Sequence, residues 1–362
     1  MPLPYLSKWI EVDLNRLIAN TQAVRRSLGP KVKLMGMVKS NAYGHGLERT
    51  AKTLASHPAC DALGVWTLQE AARVWRSCGR AKPQVALMAP AFDPPPALAR
   101  AVREGAWLTL DRPELETSTA RAALIARTSA QIFLDLDLGL GRWGCSVKNA
   151  LALTRRLMRQ KSLRLVGVSS HIDYLPGLHK TEAEIKLNRF FETAVAIESL
   201  IGRPLIKTCA NSSVFLDFPA WRLDMVRIGN LLYGVNPTAT AFAVKNIWSF
   251  KARILSLKRL RSGETVGYGS EFLALNNMTA ASVGCGFADG LSMEPAHRFI
   301  RLSGPNPYRA KFKGRELPIV GRVGLGHALL DASKTPEIRV GDIVDLPVRR
   351  TAAALDVPRI YI

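Results

Sequence analysis

Short apolar runs alternate with longer amphipathic segments through the first two thirds of the chain. Eight runs have the length and composition of buried strands: Lys33–Val38, Ala62–Trp66, Gln84–Met88, Ala106–Leu110, Gln131–Asp137, Arg164–Ser170, Ile206–Cys209 and Met225–Ile228. Between them, apolar residues recur at helical spacing in Leu68–Ser77, Pro113–Arg127, Val147–Arg159 and Glu182–Ile201. Strands that alternate with helices form parallel sheets, and this number of strands favours a closed (β/α)₈ barrel over an open doubly wound sheet.

Two further patterns flank this region of alternating strands and helices. Before it, Glu11 to Leu28 spaces its apolar residues as a helix does, with Asp13 in the N-cap position. After it, strand-like runs separated by turn residues follow one another: Lys251–Arg261, Thr279–Gly284, Lys311–Lys313, Ile319–Val323 and Asp342–Val348. Such a series is typical of a mainly antiparallel β domain. We therefore expect the barrel in residues 1–240 and the β domain in residues 241–362.

The length and composition fit a globular protein of about two domains. The 362 residues are 48% hydrophobic and 22% charged. No apolar run approaches the roughly 20 residues that a membrane helix needs, and the residues up to Leu6 lack the regions of a secretion signal. The five cysteines are widely spaced, without the pairing of a zinc or redox site: Cys60, Cys78, Cys145, Cys209 and Cys285. We therefore expect a reducing, cytoplasmic setting, with no metal and no membrane partner.

The net charge of +21 raises the question of nucleic-acid binding. The basic residues are spread along the chain in pairs such as Arg25-Arg26 and Arg155-Arg156, and no basic block is interleaved with aromatic residues. This distribution favours a generally cationic surface that attracts anionic small molecules over a nucleic-acid partner.

Polar and charged residues follow several of the predicted barrel strands. Residues at the C-terminal ends of barrel strands line one mouth of the barrel, where ligands bind. The candidates at these positions are Lys39, Arg142, His171, Asn211, Ser212, Arg227, Gly229 and Asn230. A lysine that leaves apolar surroundings can become an amine nucleophile or a base, although an isolated lysine at a strand end is more commonly an ordinary one.

The stretch from Met37 to Gly46, Met-Val-Lys-Ser-Asn-Ala-Tyr-Gly-His-Gly, resembles the pyridoxal-phosphate lysine motif of the alanine racemase family. The resemblance extends along the chain. Leu138–Arg142 is similar to the family's Gly-rich arginine segment, and Gly263–Gly269 resembles the stretch that bears its catalytic tyrosine. Two further segments look like its phosphate-binding turns, Cys209–Ser213 and Val226–Gly234.

The resemblance implies a pyridoxal-phosphate enzyme of fold type III that interconverts L- and D-alanine. Lys39 would carry the cofactor as a Schiff base and act as base on one face of the substrate carbon, while Tyr268 from a second subunit would act on the other. The implied assembly is a head-to-tail homodimer with shared sites. Because an unperturbed tyrosine is a poor base at neutral pH, Tyr268 needs cationic neighbours, and His171 is the candidate.

The resemblance also assigns the binding residues. Cofactor-binding roles fall to Lys39, Tyr43, His171, Asn211, Ser212, Arg227, Gly229 and Asn230, and substrate-binding roles to Arg142 and Leu325. Hydroxyls and the N–H groups of a Gly-Asn turn suit a phosphate dianion, and Arg227 would face the pyridine nitrogen. Three structural alternatives stand beside these roles: a helix N-cap for Ser212, a surface ion pair with Asp224 for Arg227, and a core position for His171.

Four departures from the family pattern bear on substrate choice. Asp135 stands where many members have a lysine, and we expect it to pair with Arg142. The Gly324–His327 segment, the tail from Val348 to Leu355 and the Gly286–Met293 segment also differ. These differences predict a wider gate, with weaker selectivity for alanine or lower turnover. The alternatives are a broader racemase, another fold-type III reaction such as decarboxylation or aldol cleavage, and a catalytically silent cofactor-binding protein.

Overall fold

The computed structural model describes residues 6–291 and 308–362. The predicted N-terminal segment up to Tyr5 and the end of the predicted Gly286–Met293 segment, Ser292 and Met293, lie outside these residues. The chain divides into two compact units. One comprises Leu14–Asn246 and is called the barrel unit; the other joins the segment that ends at Asp13 to Ile247–Ile362 and is called the sheet unit.

The strands as far as Asn246 are, in chain order, β1 (Lys8–Val12), β2 (Lys33–Met37), β3 (Ala62–Val65), β4 (Gln84–Pro90), β5 (Trp107–Leu110), β6 (Ala130–Asp137), β7 (Cys145–Ser146), β8 (Leu163–Ser170), β9 (Ile206–Thr208) and β10 (Met225–Ile228). The helices are α1 (Leu14–Leu28), α2 (Lys39–Tyr43), α3 (Leu47–Ala55), α4 (Leu68–Cys78), α5 (Pro95–Arg103), α6 (Pro113–Ala126), α7 (Val147–Arg159), α8 (Lys180–Ile201) and α9 (Ser212–Asp217). Single 3₁₀ turns lie at Gly79–Ala81, Pro219–Arg222, Tyr268–Ser270 and Phe287–Asp289.

The barrel unit is a nearly closed parallel barrel. Its strands pair in the order β10-β2-β3-β4-β5-β6-β8-β9, with the short β7 attached to β6. At the remaining junction, the Arg227 N–H of β10 donates to the carbonyl of Ala210, just beyond β9, at 2.9 Å. The predicted (β/α)₈ fold is therefore confirmed. The strands could be found from sequence because strands such as β3, β5 and β10 are buried at every position and read as continuous apolar runs.

Local sequence signals explain where several helices begin. The Thr67 hydroxyl accepts the Glu70 N–H at 3.2 Å and caps α4. Proline occupies the first turn of α5 and of α6, where its missing N–H costs no helical hydrogen bond. Inside the barrel, large side chains fill the space between the strands, including Met35, Trp107 and Phe133. This packed interior leaves ligand binding to the ends of the strands.

The prediction for the N-terminal segment was wrong at its start. The helix begins at Leu14, and Lys8–Val12 forms β1, which pairs with Trp248–Ala252 in antiparallel fashion and with Arg359–Tyr361 in parallel fashion. This short strand owes its structure to partners far away in the chain, which local periodicity does not reveal. The residues before Leu14 therefore group with the sheet unit. The predicted division at residue 240 had placed them with the barrel.

The sheet unit contains the strands β11 (Trp248–Leu260), β12 (Thr265–Val266), β13 (Phe272–Leu273), β14 (Met278–Val283), β15 (Arg309–Phe312), β16 (Arg315–Val320), β17 (Ala328–Asp331), β18 (Ile343–Leu346) and β19 (Arg359–Tyr361). Its main sheet runs β14-β17-β16-β15-β18-β11-β1-β19, and an added β14–β11 pairing closes six of these strands into a ring. Apart from β1–β19, the pairings are antiparallel, as predicted. In the described ranges, no helix is long and apolar enough to cross a membrane.

Candidate active site

Lys39 is the first residue of α2, two positions after β2 ends, and is half-buried at the mouth of the barrel. The pKa of Lys39 is lowered from 10.5 to about 8 by burial and by the positive charges of Arg142 and Arg227, and Glu70 opposes this shift. A substantial fraction of the amine is therefore neutral near physiological pH. Such an amine can act as a nucleophile or as a base.

The backbone after Lys39 forms a left-handed turn. Ser40, Asn41, Ala42 and Tyr43 all have φ between +53° and +56°. For residues other than glycine this conformation costs roughly 1–2 kcal/mol each, so the surroundings must hold it. Glu70 accepts the Ser40 N–H at 2.6 Å, and the Asn41 side chain accepts the Leu47 N–H at 2.9 Å. The lysine is thus attached to a strained but firmly held turn.

The same turn brings the hydroxyl of Tyr43 against Gly229. A Cβ atom at Gly229 would lie 2.5 Å from Tyr43 Oη, so only glycine permits this approach. The Gly229 N–H points to Ser212 Oγ at 3.4 Å. Asn230 follows in the same turn, and its carbonyl accepts the Val235 N–H at 2.9 Å. Two hydroxyls and a backbone N–H therefore converge on one small area.

Asn211, rather than Ser212, caps helix α9. The Asn211 side-chain oxygen accepts the N–H groups of Ser213 and Val214 at 3.0 and 3.1 Å. Ser212 is the first residue of the helix and is buried. The N-cap alternative for Ser212 was therefore wrong, and its hydroxyl stays directed at the Gly229 turn.

Arg227 lies inside the barrel with only 6% of its surface exposed. Its Nη1 donates to the carbonyl and the hydroxyl of Thr208 at 2.6 and 3.0 Å, and Nη2 donates to the Ser170 carbonyl at 2.6 Å. Asp224 pairs with Lys207 instead, at 3.1 Å, so the surface-ion-pair alternative for Arg227 was wrong. These three bonds use three of the five N–H groups, so the Nε–H and the second N–H of Nη2 are the donors that this guanidinium can direct at a ligand.

His171 follows β8 at the same mouth. Burial lowers the pKa of His171 to about 3, and the charges of Arg227, Arg142 and Lys39 act in the same direction. The imidazole is therefore neutral at neutral pH. The expectation of a cationic His171 that supports a tyrosine base is not met, because burial disfavours the protonated ring and three nearby cations act in the same direction.

Asp135 and Arg142 do not form the direct pair that the sequence suggested. Ser169 donates its hydroxyl to Asp135 Oδ1 at 2.5 Å, and burial raises the pKa of this carboxyl to about 7. The Arg142 guanidinium instead stacks on the ring of Trp143, 3.9 Å from its centre. Burial lowers the pKa of Arg142, and Asp135 acts on Arg142 only through its charge, which opposes this shift.

Two indole rings form part of this mouth and were not predicted. Trp66, which directly follows β3, lies 4.9 Å from Trp143 in an edge-on arrangement. Lys39 Nζ is 4.0 Å from the centre of the Trp66 ring, and Arg142 Cζ is 5.3 Å from it. Trp66 is the last residue of the predicted strand Ala62–Trp66, and Trp143 follows the predicted site residue Arg142, which was the only signal available. The rings offer a face on which the two cations rest.

The remaining predicted residues belong to the sheet unit. Tyr268 lies in a 3₁₀ turn, with 62% of its surface exposed and its ring 5.7 Å from that of His327. Leu325 is 61% exposed, and its carbonyl accepts the Ala288 N–H at 3.0 Å. The Phe287 N–H also binds the Gly324 carbonyl at 3.0 Å. Two of the segments that depart from the family pattern are thus joined to each other.

Comparison with known proteins agrees with this architecture. The family model "Alanine racemase, N-terminal domain" matches residues 12–237, and "Alanine racemase, C-terminal domain" matches residues 247–358. The alanine racemase of Syntrophobacter fumaroxidans is 30% identical over 343 residues, covering 93% of this chain and 87% of that protein. That of Desulfosudis oleivorans is 30% identical over 356 residues, covering 93% and 86%.

Solved structures give the same result. The alanine racemase of Clostridium difficile matches with a TM-score of 0.88 at 22% identity, over 99% of this chain and 96% of that one. The biosynthetic alanine racemase of Pseudomonas aeruginosa matches with a TM-score of 0.82 at 27% identity, over 98% and 99%. A barrel with a lysine at its mouth, followed by a β unit, is thus the architecture of an amino-acid racemase. More specifically, the chain belongs to the alanine racemase family.

Proposed function

We propose that this protein interconverts L- and D-alanine with pyridoxal phosphate held by Lys39, and that Lys39 and Tyr268 act as bases on opposite faces of the substrate α-carbon. The observation that carries the proposal is the amine of Lys39 at the barrel mouth, with its pKa lowered to about 8. The substrate follows from the relatives, which carry the name alanine racemase. We further propose a cytoplasmic location, which the free thiols of all five cysteines support.

The residues at the mouth fit pyridoxal phosphate. Its phosphate is a dianion that needs O–H and N–H donors, and the cradle beside Gly229, which a Cβ atom would fill, brings Tyr43 and Ser212 hydroxyls together. Asn230 extends this turn, and Asn211 fixes the start of the adjoining helix. Arg227 can donate its Nε–H to the pyridine nitrogen but cannot protonate it, which leaves the ring a weaker electron sink.

When bound, pyridoxal phosphate withdraws electrons from the amino acid's α-carbon and so acidifies its C–H bond. Lys39 takes or returns the proton on one face, since its pKa of about 8 lets both forms of the amine exist at neutral pH. Tyr268 does the same on the other face. Arg142 has a guanidinium that suits a carboxylate, and the Leu325 N–H is a second proposed carboxylate donor, while neutral His171 contributes hydrogen bonds rather than charge.

Tyr268 is proposed to come from a second subunit, in a head-to-tail homodimer with shared sites. Its 62% exposure supports a role outside its own unit's interior. The proposal also keeps the expected change in selectivity, with tolerance of amino acids larger than alanine, which rests on the departures in the Gly324–His327 and Gly286–Met293 segments and in the tail from Val348 to Leu355.

Exchange of the α-hydrogen for solvent deuterium tests the reaction. Wild-type protein should exchange it in both L- and D-alanine, Lys39→Ala should exchange neither, and Tyr268→Phe should lose exchange from one antipode. Exchange with no amino acid at all would refute the proposal and favour a silent cofactor-binding protein. Across an amino-acid panel, strict restriction to alanine would refute the relaxed selectivity.

A mixture of the two inactive variants tests the shared site. If Tyr268 serves the partner's Lys39, each mixed dimer of Lys39→Ala and Tyr268→Phe has one intact site, and roughly a quarter of wild-type activity should return after exchange of subunits. If both residues served one subunit's own site, no mixture would regain activity. Each variant incubated alone is the control.

A further inference from the structure

The Glu70 carboxylate contacts the backbone at two points that adjoin Lys39. Its Oε1 accepts the N–H of Ser40, the residue after the lysine, at 2.6 Å. Its Oε2 accepts the N–H of Trp66 at 2.7 Å, and the ring of Trp66 lies under the Lys39 amine. Both distances are short, as expected when the acceptor is a carboxylate. One side chain therefore joins the lysine's turn to the ring on which its amine rests.

Helix capping alone does not explain this arrangement. Thr67 and Glu70 have the spacing of a capping box, in which the glutamate would turn back to the N–H of the capping residue itself. Here the carboxylate reaches one residue further back, to Trp66, and across to Ser40 on a different strand-to-helix connection. The bond to Ser40 does not satisfy any N–H group of helix α4.

The turn that begins with Ser40 needs such a bond. Its residues adopt the left-handed conformation one after another, and a strained segment persists only when its surroundings determine it. Tyr233, by donating to the Met37 carbonyl at 2.7 Å, holds the chain before Lys39, and Glu70 holds it immediately after.

Glu70 also contributes charge. The groups that face the amine are the cations Arg142 and Arg227, the neutral imidazole of His171, and Glu70. The cations favour a neutral lysine, and Glu70 opposes them. Without it, the amine would bind a proton more weakly.

We propose that Glu70 is a positioning residue for Lys39, which holds the lysine's backbone and the Trp66 ring in one arrangement and balances the surrounding positive charge. Its consequence for catalysis rests on the proposed function. The arrangement itself does not, because it concerns the protein's own amine and can be measured without cofactor or substrate.

Competitive labelling with acetic anhydride between pH 6 and 10 tests the charge, read by mass spectrometry of the Lys39 peptide in full-length protein that has been treated with hydroxylamine and dialysed to free the Lys39 amine of any cofactor. Glu70→Gln removes the charge and should move the labelling midpoint of Lys39 downward by about half a pH unit or more. The matched control is Glu48→Gln, whose carboxylate pairs with Arg73 on α4 at 2.7 Å, and it should keep the wild-type midpoint. Equal midpoints in both variants would overturn the proposal, even if both lose stability.

Glu70→Asp tests the positioning separately. It keeps the charge on a shorter side chain that cannot span both N–H groups, so the midpoint should stay near that of wild type. The labelling rate at pH 10, where the amine is neutral, should rise several-fold because the amine is no longer held on Trp66. A rate equal to that of wild type would overturn the positioning role. Racemase activity enters neither measurement, so failure here is distinct from failure of the proposed reaction.

Discussion

Replacement of Asp135 by asparagine tests the electrostatics of the barrel mouth. The carboxyl is buried beside Ser169, whose hydroxyl it accepts at 2.5 Å. Burial raises the pKa of Asp135 from 3.8 to about 7, although Ser169, Arg227 and Arg142 each act to lower it. Asparagine keeps the shape and the acceptor for Ser169 but carries no charge, so it mimics the protonated aspartic acid.

The magnitude follows from the difference between the folded and unfolded chain. A carboxyl whose pKa is raised on folding supports stability fully below its unfolded pKa, and this support is lost as the pH rises through the folded value. Each pH unit of difference is worth about 1.4 kcal/mol, so the ionisation of Asp135 removes about 4 kcal/mol between pH ~4 and pH ~7. About 2.5 kcal/mol of this falls between pH ~5 and pH ~8.

Urea denaturation of wild type and Asp135→Asn at several pH values is the assay. The variant's advantage in free energy of unfolding should grow by about 2.5 kcal/mol from pH ~5 to pH ~8. The control Asp173→Asn removes a carboxylate from the ion pair with Lys186 in the same unit, and its difference from wild type should not grow in this way. A constant advantage of Asp135→Asn across the range would refute the reasoning, since it would mean that folding leaves the ionisation of Asp135 unchanged.

Three further outcomes are expected. Tyr233→Phe removes the buried donor to the Met37 carbonyl and should lower the free energy of unfolding by about 1–3 kcal/mol in urea; an unchanged value would contradict the importance of that bond. Gly229→Ala places a Cβ 2.5 Å from Tyr43 Oη and should weaken pyridoxal-phosphate binding about ten-fold or more, measured by absorbance titration, whereas equal affinity would count against the cradle. The ring signals of His171 in NMR spectra should not titrate between pH ~5 and pH ~8, because its pKa is about 3 and its neighbours are cations; a transition in this range would show a different environment.

The barrel could be predicted because its information is local. Each parallel strand is buried on both faces and reads as an apolar run, and each helix shows its own periodicity. The strand Lys8–Val12 carries no such signal, because five residues that alternate irregularly between buried and half-buried positions are defined by partners near residues 250 and 360. For the same reason, local sequence does not reveal that the residues before Leu14 belong with the sheet unit.

The grouping of the candidate residues could be predicted where one motif holds them together. Lys39 and Tyr43 lie in the single short helix α2, and the Tyr43 hydroxyl of that helix lies against Gly229. The errors concern contacts between elements. Asp135 binds Ser169 because these residues are register partners on β6 and β8, and register cannot be read from either strand alone.

The charge of His171 depends on burial and on three cations from separate parts of the barrel unit, and the proposed role of Glu70 depends on backbone N–H groups of two connections. Neither the charge of His171 nor the backbone contacts of Glu70 can be recognised from the residue types in the sequence. Contacts of this kind decide whether a named residue is charged, capped or held, which explains why the states of the candidate residues could not be read from the sequence.

The balance of charge at the mouth indicates what kind of ligand it favours. Lys39, Arg142 and Arg227 lower the pKa of His171, while burial keeps Asp135 largely protonated below about pH 7. The site therefore holds more positive than negative charge, and a ligand that brings a phosphate dianion and a carboxylate would relieve the repulsion. Such a ligand should raise the pKa of His171, because an anion favours the protonated ring. The surplus of cations is thus a property that selects for anionic ligands, in keeping with the basic character of the whole chain.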